Sequence, residues 1–167
     1  MERLRDRLAR MEEIKADVLL SSPLRRARES TQILEPALGR SVVVDEGLHE
    51  WRSDDGTLGP EDFSALWQQT PISQRPFVRW GDGCETWLEF SVRVQQALNR
   101  LLEEYEGKTL VAVSHGEVIQ ASFAYFFGLS AAAMPGVSLE NASITHWFKS
   151  EQAQKWILQR FNDAYHL

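Results

Sequence analysis

Residues 108–127 read KTLVAVSHGEVIQASFAYFF, and this stretch decides the predicted fold. Residues 109–113 are a short apolar run rich in β-branched side chains, which is the pattern of a strand buried on both faces. Residues 117–127 continue with the apolar spacing of a helix. A buried strand that runs directly into a helix places the Ser-His-Gly turn at residues 114–116 on the carboxyl edge of an α/β sheet, where ligands bind.

His115 is the first candidate functional residue in this turn. Gly116 allows the backbone to turn tightly, and the first N–H groups of the following helix point outward as donors for an anion. His115 would stand beside those donors. The alternative is that His115 caps the helix, or lies on the surface with its hydrogen bonds satisfied. This stretch by itself leaves both interpretations open.

The composition limits the class of protein. The chain has 167 residues, of which 43% are hydrophobic and 25% charged, and this is typical of one soluble globular domain. The net charge of −6 argues against nucleic acid or an anionic membrane as a partner. The single cysteine excludes an internal disulfide and fits a reducing compartment. With no signal-peptide pattern and no apolar run of membrane-spanning length, we expect a cytoplasmic protein with one domain over residues 1–167.

Periodicity along the chain predicts alternating helices and strands. The predicted helices cover residues 1–15, 24–38 and 86–105, and the predicted strands cover residues 17–20 and 41–45. Residues 142–148 and 155–161 alternate like the two strands of an antiparallel hairpin. This order predicts an α/β fold, specifically a three-layer α/β/α sandwich with a mainly parallel sheet.

Residues 46–85 form the least regular part of the sequence, with Pro60–Gln69 as the one predicted helix inside it. A long irregular excursion in a compact domain is usually functional, often as a lid or the wall of a pocket. We expect most of the tryptophans here to form local core. Trp51, next to Arg52, is the better candidate for lining a pocket.

Several common kinds of catalytic site are excluded by their motifs. The sequence has no G-x-S-x-G elbow at this turn and no Walker or dinucleotide-binding glycine loop. Its four histidines are scattered without metal-ligand spacing, so we expect neither a metal nor a cofactor. Two predicted strand ends remain, SSPLRRA at residues 21–27 and the Ser-His-Gly turn. Parallel strands bring both strand ends to the same edge of the sheet. There an arginine guanidinium, an imidazole and the N–H groups of a helix would together form a phosphate-binding site.

Four motifs together resemble the histidine phosphatase family, which has the phosphoglycerate-mutase-like fold. They are SSPLRRARESTQ at residues 21–32, LHE at 48–50, GCETW at 83–87 and VSHGEVI at 113–119. The resemblance covers nearly the whole chain in the order of the family. It implies hydrolysis of a phosphomonoester, or phosphoryl shuttling, through a phosphohistidine and without a metal.

The resemblance also implies a role for individual residues. Arg26 matches the arginine that binds the transferred phosphate, and His115 matches a histidine that also contacts the phosphoryl group. Glu50 matches the acid that protonates the leaving group. With the N–H group of Gly116, these residues make the predicted site, and its expected partner is a small phosphorylated substrate or phosphate itself.

One family element is absent from the sequence. The resemblance places the nucleophile in an R-H-G motif at the end of a first strand, and the sequence contains no such motif. We therefore expect this chain to begin inside the first helix of the family and to lack the first strand. We expect that strand to belong between the strand ending at Ser21 and the one before Ser114. Its absence would leave open sheet edges that favour a homo-oligomer.

The sequence thus predicts a phosphatase-type site on a small phosphomonoester, impaired because the nucleophile is missing. A phosphatase is preferred to a mutase because no motif marks a second phosphate site. Glu117 and Gln120 make the pocket less favourable for anions than is usual in the family. The alternatives are a non-catalytic phosphate-binding or scaffold protein, and an unrelated flavodoxin-like fold with coincidental motifs.

Overall fold

The structure of the chain is a computed structural model that describes residues 1–11, 13–54, 56 and 59–167. Its centre is a parallel sheet in the order β2–β1–β3, formed by β1 (Val18–Ser21), β2 (Val42–Val44) and β3 (Leu110–Val113). A second sheet holds the antiparallel strands β4 (Ile144–Ser150) and β5 (Lys155–Asp163), which confirms the predicted hairpin.

The helices alternate with these strands as the periodicity predicted. They are α1 (Glu2–Met11), α2 (Arg25–Leu38), α3 (Pro60–Gln69), α4 (Trp87–Glu104) and α5 (Gly116–Phe127). Short 3₁₀ turns lie at Glu46–Leu48 and Arg75–Phe77. In the described part of the chain, no helix is both long and apolar enough to cross a membrane.

Consecutive leucines of β1 show how the layers form. Leu19 packs with Leu8 of α1 and Leu34 of α2, whereas Leu20 packs with Phe90 of α4. Successive side chains of a strand point to opposite faces of a sheet, so these contacts place α1 and α2 on one face and α4 on the other. The predicted three-layer α/β/α sandwich with a mainly parallel sheet is confirmed.

β1 and β3 are direct neighbours in the sheet. Their residues pair from Val18 with Leu110 to Ser21 with Val113, and the Ser22 N–H extends the ladder by donating to the Val113 carbonyl at 3.0 Å. The expectation that another strand belongs between these two is wrong. Their facing backbone groups bond each other, so no space remains between them.

The expectation that β3 is buried on both faces is also wrong. Leu110, Val111 and Val113 are only partly buried, and Ala112 is exposed. Within the described residues, β3 has β1 as its sole ladder partner. A strand at the margin of a sheet keeps contact with solvent that an interior strand loses, which explains the incomplete burial.

α1 ends earlier than the predicted boundary at residue 15. Leu8 of the predicted apolar face is buried, but Met11 is exposed. Beyond the helix, the Glu13 carboxylate accepts hydrogen bonds of 2.6 Å from both Arg7 and Arg160. Glu13 thus pairs with buried Arg7 and with Arg160 of β5. These ion pairs take the place of the helix that the apolar spacing predicted to continue to residue 15.

Candidate active site

Ser22 and His115 meet at the carboxyl edge of the parallel sheet. Ser22 follows β1 directly, and His115 lies between β3 and α5. The Nε2 atom of His115 is 2.7 Å from the Ser22 hydroxyl oxygen. His115 is only 6% exposed, and its side chain makes no capping hydrogen bond to α5. The interpretation of His115 as a surface or capping histidine is therefore wrong.

Arg93 of α4 holds the main chain that carries Glu50. Its Nη1 donates to the carbonyls of Gly47 and His49, both at 3.0 Å, and its Nη2 donates to the carbonyl of Glu50 at 3.3 Å. Two further hydrogen bonds of 2.8 Å join the guanidinium to the Glu85 carboxylate. A planar guanidinium with five donors in fixed directions can order this segment, because it satisfies several carbonyls at once.

The segment before Glu50 also packs closely against its neighbours. The Ser114 hydroxyl donates to the Leu48 carbonyl at 2.8 Å, which joins this segment to the residue before His115. A Cβ atom added at Gly47 would lie 2.3 Å from the Cβ of Ala97 in α4. That separation is far below the contact distance of two carbon atoms, so the close approach requires a glycine here.

The Oε2 atom of Glu50 lies where the predicted site residues converge. It is 3.4 Å from Nδ1 of His115 and 3.6 Å from Nη2 of Arg26. Its Oε1 accepts a hydrogen bond of 3.1 Å from the Trp51 N–H. Gly116 is the next residue after His115 and begins α5. The structure thus brings together Arg26, Glu50 and His115, with Gly116 adjacent in the chain.

Glu50 is set up to retain a proton. Its pKa is raised from 4.5 to about 7, mainly by burial and in addition by the charge of the nearby Glu117 carboxylate and a hydrogen bond with it. The Trp51 N–H and the charge of Arg26 act in the opposite direction without cancelling the rise. Desolvation disfavours the charged form of a carboxyl group, so Glu50 is largely protonated in slightly acidic solution. The sequence predicts only that Glu117 weakens anion binding. The structure shows in addition that Glu117 helps to raise the pKa of Glu50.

His115 shifts in the other direction. Its pKa is lowered from 6.5 to about 4, mainly by burial and in addition by the charges of Arg26 and His49. At neutral pH the imidazole is therefore uncharged, and it donates a hydrogen bond at one ring nitrogen and accepts at the other. The positive charge beside Glu50 is therefore that of Arg26 and not of His115.

The arrangement is suited to an anion that carries a leaving group. Arg26 offers a guanidinium that is 63% exposed, and α5 begins here with N–H groups that lack intrahelical acceptors. Glu50 offers a proton beside them. In the part of the chain that the structure describes, no group of three or more His, Cys, Asp or Glu side chains is arranged to hold a metal ion.

Trp51 lines a cavity of about 520 Å³ beside this site, so its predicted place in a pocket wall is confirmed. Arg52 does not line that cavity, and its side chain instead bonds the Glu85 carboxylate at 2.9 Å. Trp80 and Trp87 are buried, as expected for local core.

Sequence reasoning missed two residues that support the site. Ser22 left a weak signal, because a small hydroxyl residue directly after a buried strand is well placed to bond a neighbouring strand end. Arg93 gave no signal in the sequence that it supports the site, since it lies inside a regular amphipathic helix. Its bonds to the segment carrying Glu50 span more than 40 positions of sequence, as with the 44 positions to His49.

The chain is similar to known proteins along most of its length. Residues 1–164 match the family model of the histidine phosphatase superfamily (branch 1). The probable phosphoglycerate mutase GpmB of Enterobacter sp. (strain 638) is 30% identical over 158 residues, which cover 89% of this chain and 72% of that protein. The protein of the same name from Escherichia fergusonii is 29% identical over 166 residues, covering 95% and 76%.

Solved structures share the fold. A mycobacterial glucosyl-3-phosphoglycerate phosphatase complexed with VO3 superposes with a TM-score of 0.76 at 23% identity, covering 98% of this chain and 83% of that one. The Entamoeba histolytica phosphoserine phosphatase in complex with 3-phosphoglyceric acid gives a TM-score of 0.72 at 26% identity, covering 99% and 83%. Phosphoryl transfer in general is the chemistry common to these named proteins. On the match over residues 1–164, the chain belongs to branch 1 of the histidine phosphatase superfamily, as its four motifs predicted.

Proposed function

We propose that this site serves phosphatase-type phosphoryl transfer on a small phosphomonoester. Arg26, the His115 imidazole and the Gly116 N–H bind the phosphoryl group, and Glu50 protonates the leaving oxygen. The observation that carries the proposal is the position of Glu50 Oε2, 3.4 Å from His115 and 3.6 Å from Arg26. The leaving oxygen of a phosphate ester bound by Arg26 and His115 would lie next to the Glu50 carboxyl group, which is where a proton donor is needed.

The proposed step requires a proton donor because an alkoxide is a poor leaving group. As the P–O bond to the leaving group breaks, its electron pair stays on that oxygen, and the Glu50 proton moves there. Phosphorus at the same time bonds to a nitrogen of the histidine that the family resemblance places in an R-H-G motif, which this sequence does not contain. Water then attacks phosphorus, the P–N bond breaks with its electron pair on nitrogen, and the proton of the water returns to Glu50. The raised pKa of Glu50 supports the donor role.

The surroundings of Glu50 favour a phosphatase over a mutase. A mutase has to accommodate a second phosphate group, which calls for further cationic side chains. Beside Glu50 stands another carboxylate, Glu117. Arg75 lines the neighbouring cavity, but it donates to the Thr70 carbonyl and lies 4.8 Å from the centre of the Trp67 ring. Because the similar proteins described above are named phosphoglycerate mutases, phosphatase and mutase activity should be measured side by side.

The nucleophile is not supplied by this sequence in the form that the family uses. No histidine in the sequence follows an arginine, and His115 belongs to the late motif. We therefore propose that the 167-residue polypeptide binds phosphate but turns over almost no substrate, since loss of a nucleophile typically costs about a millionfold in rate. That behaviour also fits the second candidate function, a non-catalytic phosphate-binding or scaffold protein.

Two measurements on this polypeptide test the proposal. Calorimetric titration with phosphate or vanadate should show one saturable site. Assays with p-nitrophenyl phosphate and 3-phosphoglycerate should show negligible turnover and no burst of phosphoenzyme. A labelled phosphohistidine trapped on this polypeptide would overturn the assignment of the nucleophile.

A fusion separates the enzyme from the scaffold protein. A strand ending in Arg-His-Gly, joined ahead of Met1, should confer phosphatase turnover if the remaining site is catalytic and none if it only binds. In that fusion, Glu50→Gln should slow alkyl phosphates far more than aryl phosphates, because aryl leaving groups need less protonation. An equal loss on both substrates would count against Glu50 as the acid.

We also propose a cytoplasmic location. The single cysteine and the net charge of −6 support it, and a fluorescent fusion would test it.

A further inference from the structure

The cavity beside Glu50 has mainly aromatic and aliphatic walls. Its volume is about 520 Å³, within the range of small-molecule sites. Its apolar lining includes Trp51, Trp67, Ile72, Phe77, Trp87 and Met134. Two residues link it to the proposed phosphate site, since Trp51 follows Glu50 in the chain and Glu117 follows Gly116. An organic group attached to a phosphate at Arg26 would therefore have this cavity next to it on the side of Glu50 and Glu117.

The inner wall of the cavity is held in place by hydrogen bonds and ring contacts. The Trp51 indole N–H donates to the Glu85 carbonyl at 3.0 Å, and the Trp87 indole N–H donates to the Ala133 carbonyl at 2.8 Å. The two rings meet edge to face, 5.4 Å apart at 88°. A rigid aromatic wall loses little conformational entropy when a flat apolar group packs on it.

The mouth of the cavity exposes large apolar side chains to solvent. Ile72 is 78% exposed and Phe77 is 58% exposed. Single exposed apolar residues are common, but two of them at the rim of one aromatic cavity make a continuous apolar surface. Burying this surface under a ligand removes it from water, which favours binding of an apolar group.

The charge nearest the proposed phosphate site selects against a carboxylate. Glu117 lines the cavity, follows Gly116 in the chain and carries the charge that acts on Glu50. Arg75 also lines the cavity and keeps its positive charge, but its guanidinium lies over the Trp67 ring and its Nε donates to the Thr70 carbonyl. A carboxylate next to the phosphate would meet Glu117 at close range, and like charges in a partly desolvated site repel strongly.

We propose that this cavity receives an uncharged, apolar leaving group, so that the substrate class is a phosphomonoester of an aromatic or bulky aliphatic alcohol. The proposal rests on the proposed function, because it assumes that the phosphoryl group binds at Arg26. It differs from the phosphoglycerate and phosphoserine named for the related proteins, which carry carboxylates.

The test compares three ligands on the 167-residue polypeptide by calorimetry: inorganic phosphate, 1-naphthyl phosphate and 3-phosphoglycerate. We expect 1-naphthyl phosphate to bind about tenfold or more tightly than phosphate, because its rings are buried in the cavity. We expect 3-phosphoglycerate to bind no more tightly than phosphate.

Phe77→Ala should reduce the preference for the naphthyl ester by about threefold or more. Glu117→Gln should improve 3-phosphoglycerate relative to phosphate. Phe148→Ala, which removes an exposed aromatic ring on β4, is the matched control and should leave all three ratios unchanged.

The outcomes separate this inference from the proposed function. Equal affinity for phosphate and 1-naphthyl phosphate, or a preference for 3-phosphoglycerate, would overturn the substrate class and leave the phosphate site standing. An unchanged preference in Phe77→Ala would overturn the assignment of the cavity. Failure of all three ligands to bind would overturn the phosphate site itself, and the substrate class with it.

Discussion

Glu50 Oε2 lies 3.4 Å from the Nδ1 atom of His115, and the pKa values of the two groups shift in opposite directions, to about 7 for Glu50 and about 4 for His115. Burial is the leading cause of both shifts, because desolvation disfavours the charged form of each group. In slightly acidic solution the pair is therefore a protonated carboxyl beside a neutral imidazole. The positive charge that would act on the proposed phosphoryl group is then that of Arg26.

Arg26→Ala should weaken phosphate binding by about 1.5–3 kcal/mol, the typical contribution of a hydrogen bond to a charged group. Calorimetric titration measures the change. Arg25→Ala is the matched control, because Arg25 is 91% exposed and bonds Glu29 on the same helix. Equal phosphate affinity in the wild type and Arg26→Ala would remove Arg26 from the site.

The raised pKa of Glu50 predicts how stability depends on pH. Between pH 4.5 and about 7 the folded protein keeps a proton that the unfolded chain has released, so this contribution to stability is lost as pH rises. The melting temperature of the wild type should fall relative to that of Glu50→Gln across this window, by the equivalent of about 2 kcal/mol. Thermal melts at closely spaced pH values measure the difference.

Glu117→Gln supplies the control for this pH effect. It removes the neighbouring carboxylate that helps to raise the pKa of Glu50, so the fall in stability should move to lower pH. A pH-independent difference between the wild type and Glu50→Gln would show that Glu50 titrates alike in the folded and unfolded chains.

Arg93→Met should destabilise the fold by about 2–4 kcal/mol, because it removes two hydrogen bonds to the partly buried Glu85 carboxylate and leaves the carbonyls of Gly47 and His49 without their Arg93 donor. Urea denaturation measures the loss. Arg5→Met, which breaks an exposed ion pair with Asp6, should cost less than about 0.5 kcal/mol. If both variants lose the same small amount, Arg93 does not hold the segment that carries Glu50.

Gly47→Ala should cost about 1–3 kcal/mol of stability, because its Cβ would lie 2.3 Å from the Cβ of Ala97. It should also weaken phosphate binding, since the displaced segment carries Glu50. The double variant with Ala97→Gly removes the clash and should be more stable than the sum of the two single changes predicts. Simple additivity in denaturation curves would contradict the close approach.

We propose that the chain self-associates through the outer edge of β3. The carbonyls of Thr109 and Val113 accept bonds from the β1 side, so strand alternation turns the N–H and carbonyl of Ala112 towards the other edge. Ala112→Pro removes that N–H and should lower the dimer fraction in sedimentation velocity severalfold. Ala112→Gly keeps the N–H and is the control. A wild type that stays monomeric at every concentration would refute the proposal.

Local pattern was sufficient for much of the fold. The β-branched run before the Ser-His-Gly turn predicted β3, and residues 86–105 predicted α4 within one residue at each end. The Thr86 hydroxyl and the Glu89 carboxylate explain that accuracy, because they form a capping box that is encoded within four residues. The resemblance of the motifs to the family marked Arg26, Glu50 and His115 as candidate site residues, and the structure brings these three side chains together.

Contacts between distant segments decided the rest. Ser22 supports His115 across 93 positions, and Arg93 holds the segment carrying Glu50 across 43 to 46. Periodicity reports which side of an element is apolar, but it carries no information on which element packs against it. For that reason the sequence predicted strands ending beside a phosphate site, and only the tertiary structure decided that β1 and β3 pair directly. The raised pKa of Glu50 depends in the same way on burial and on Glu117, which only packing brings beside it.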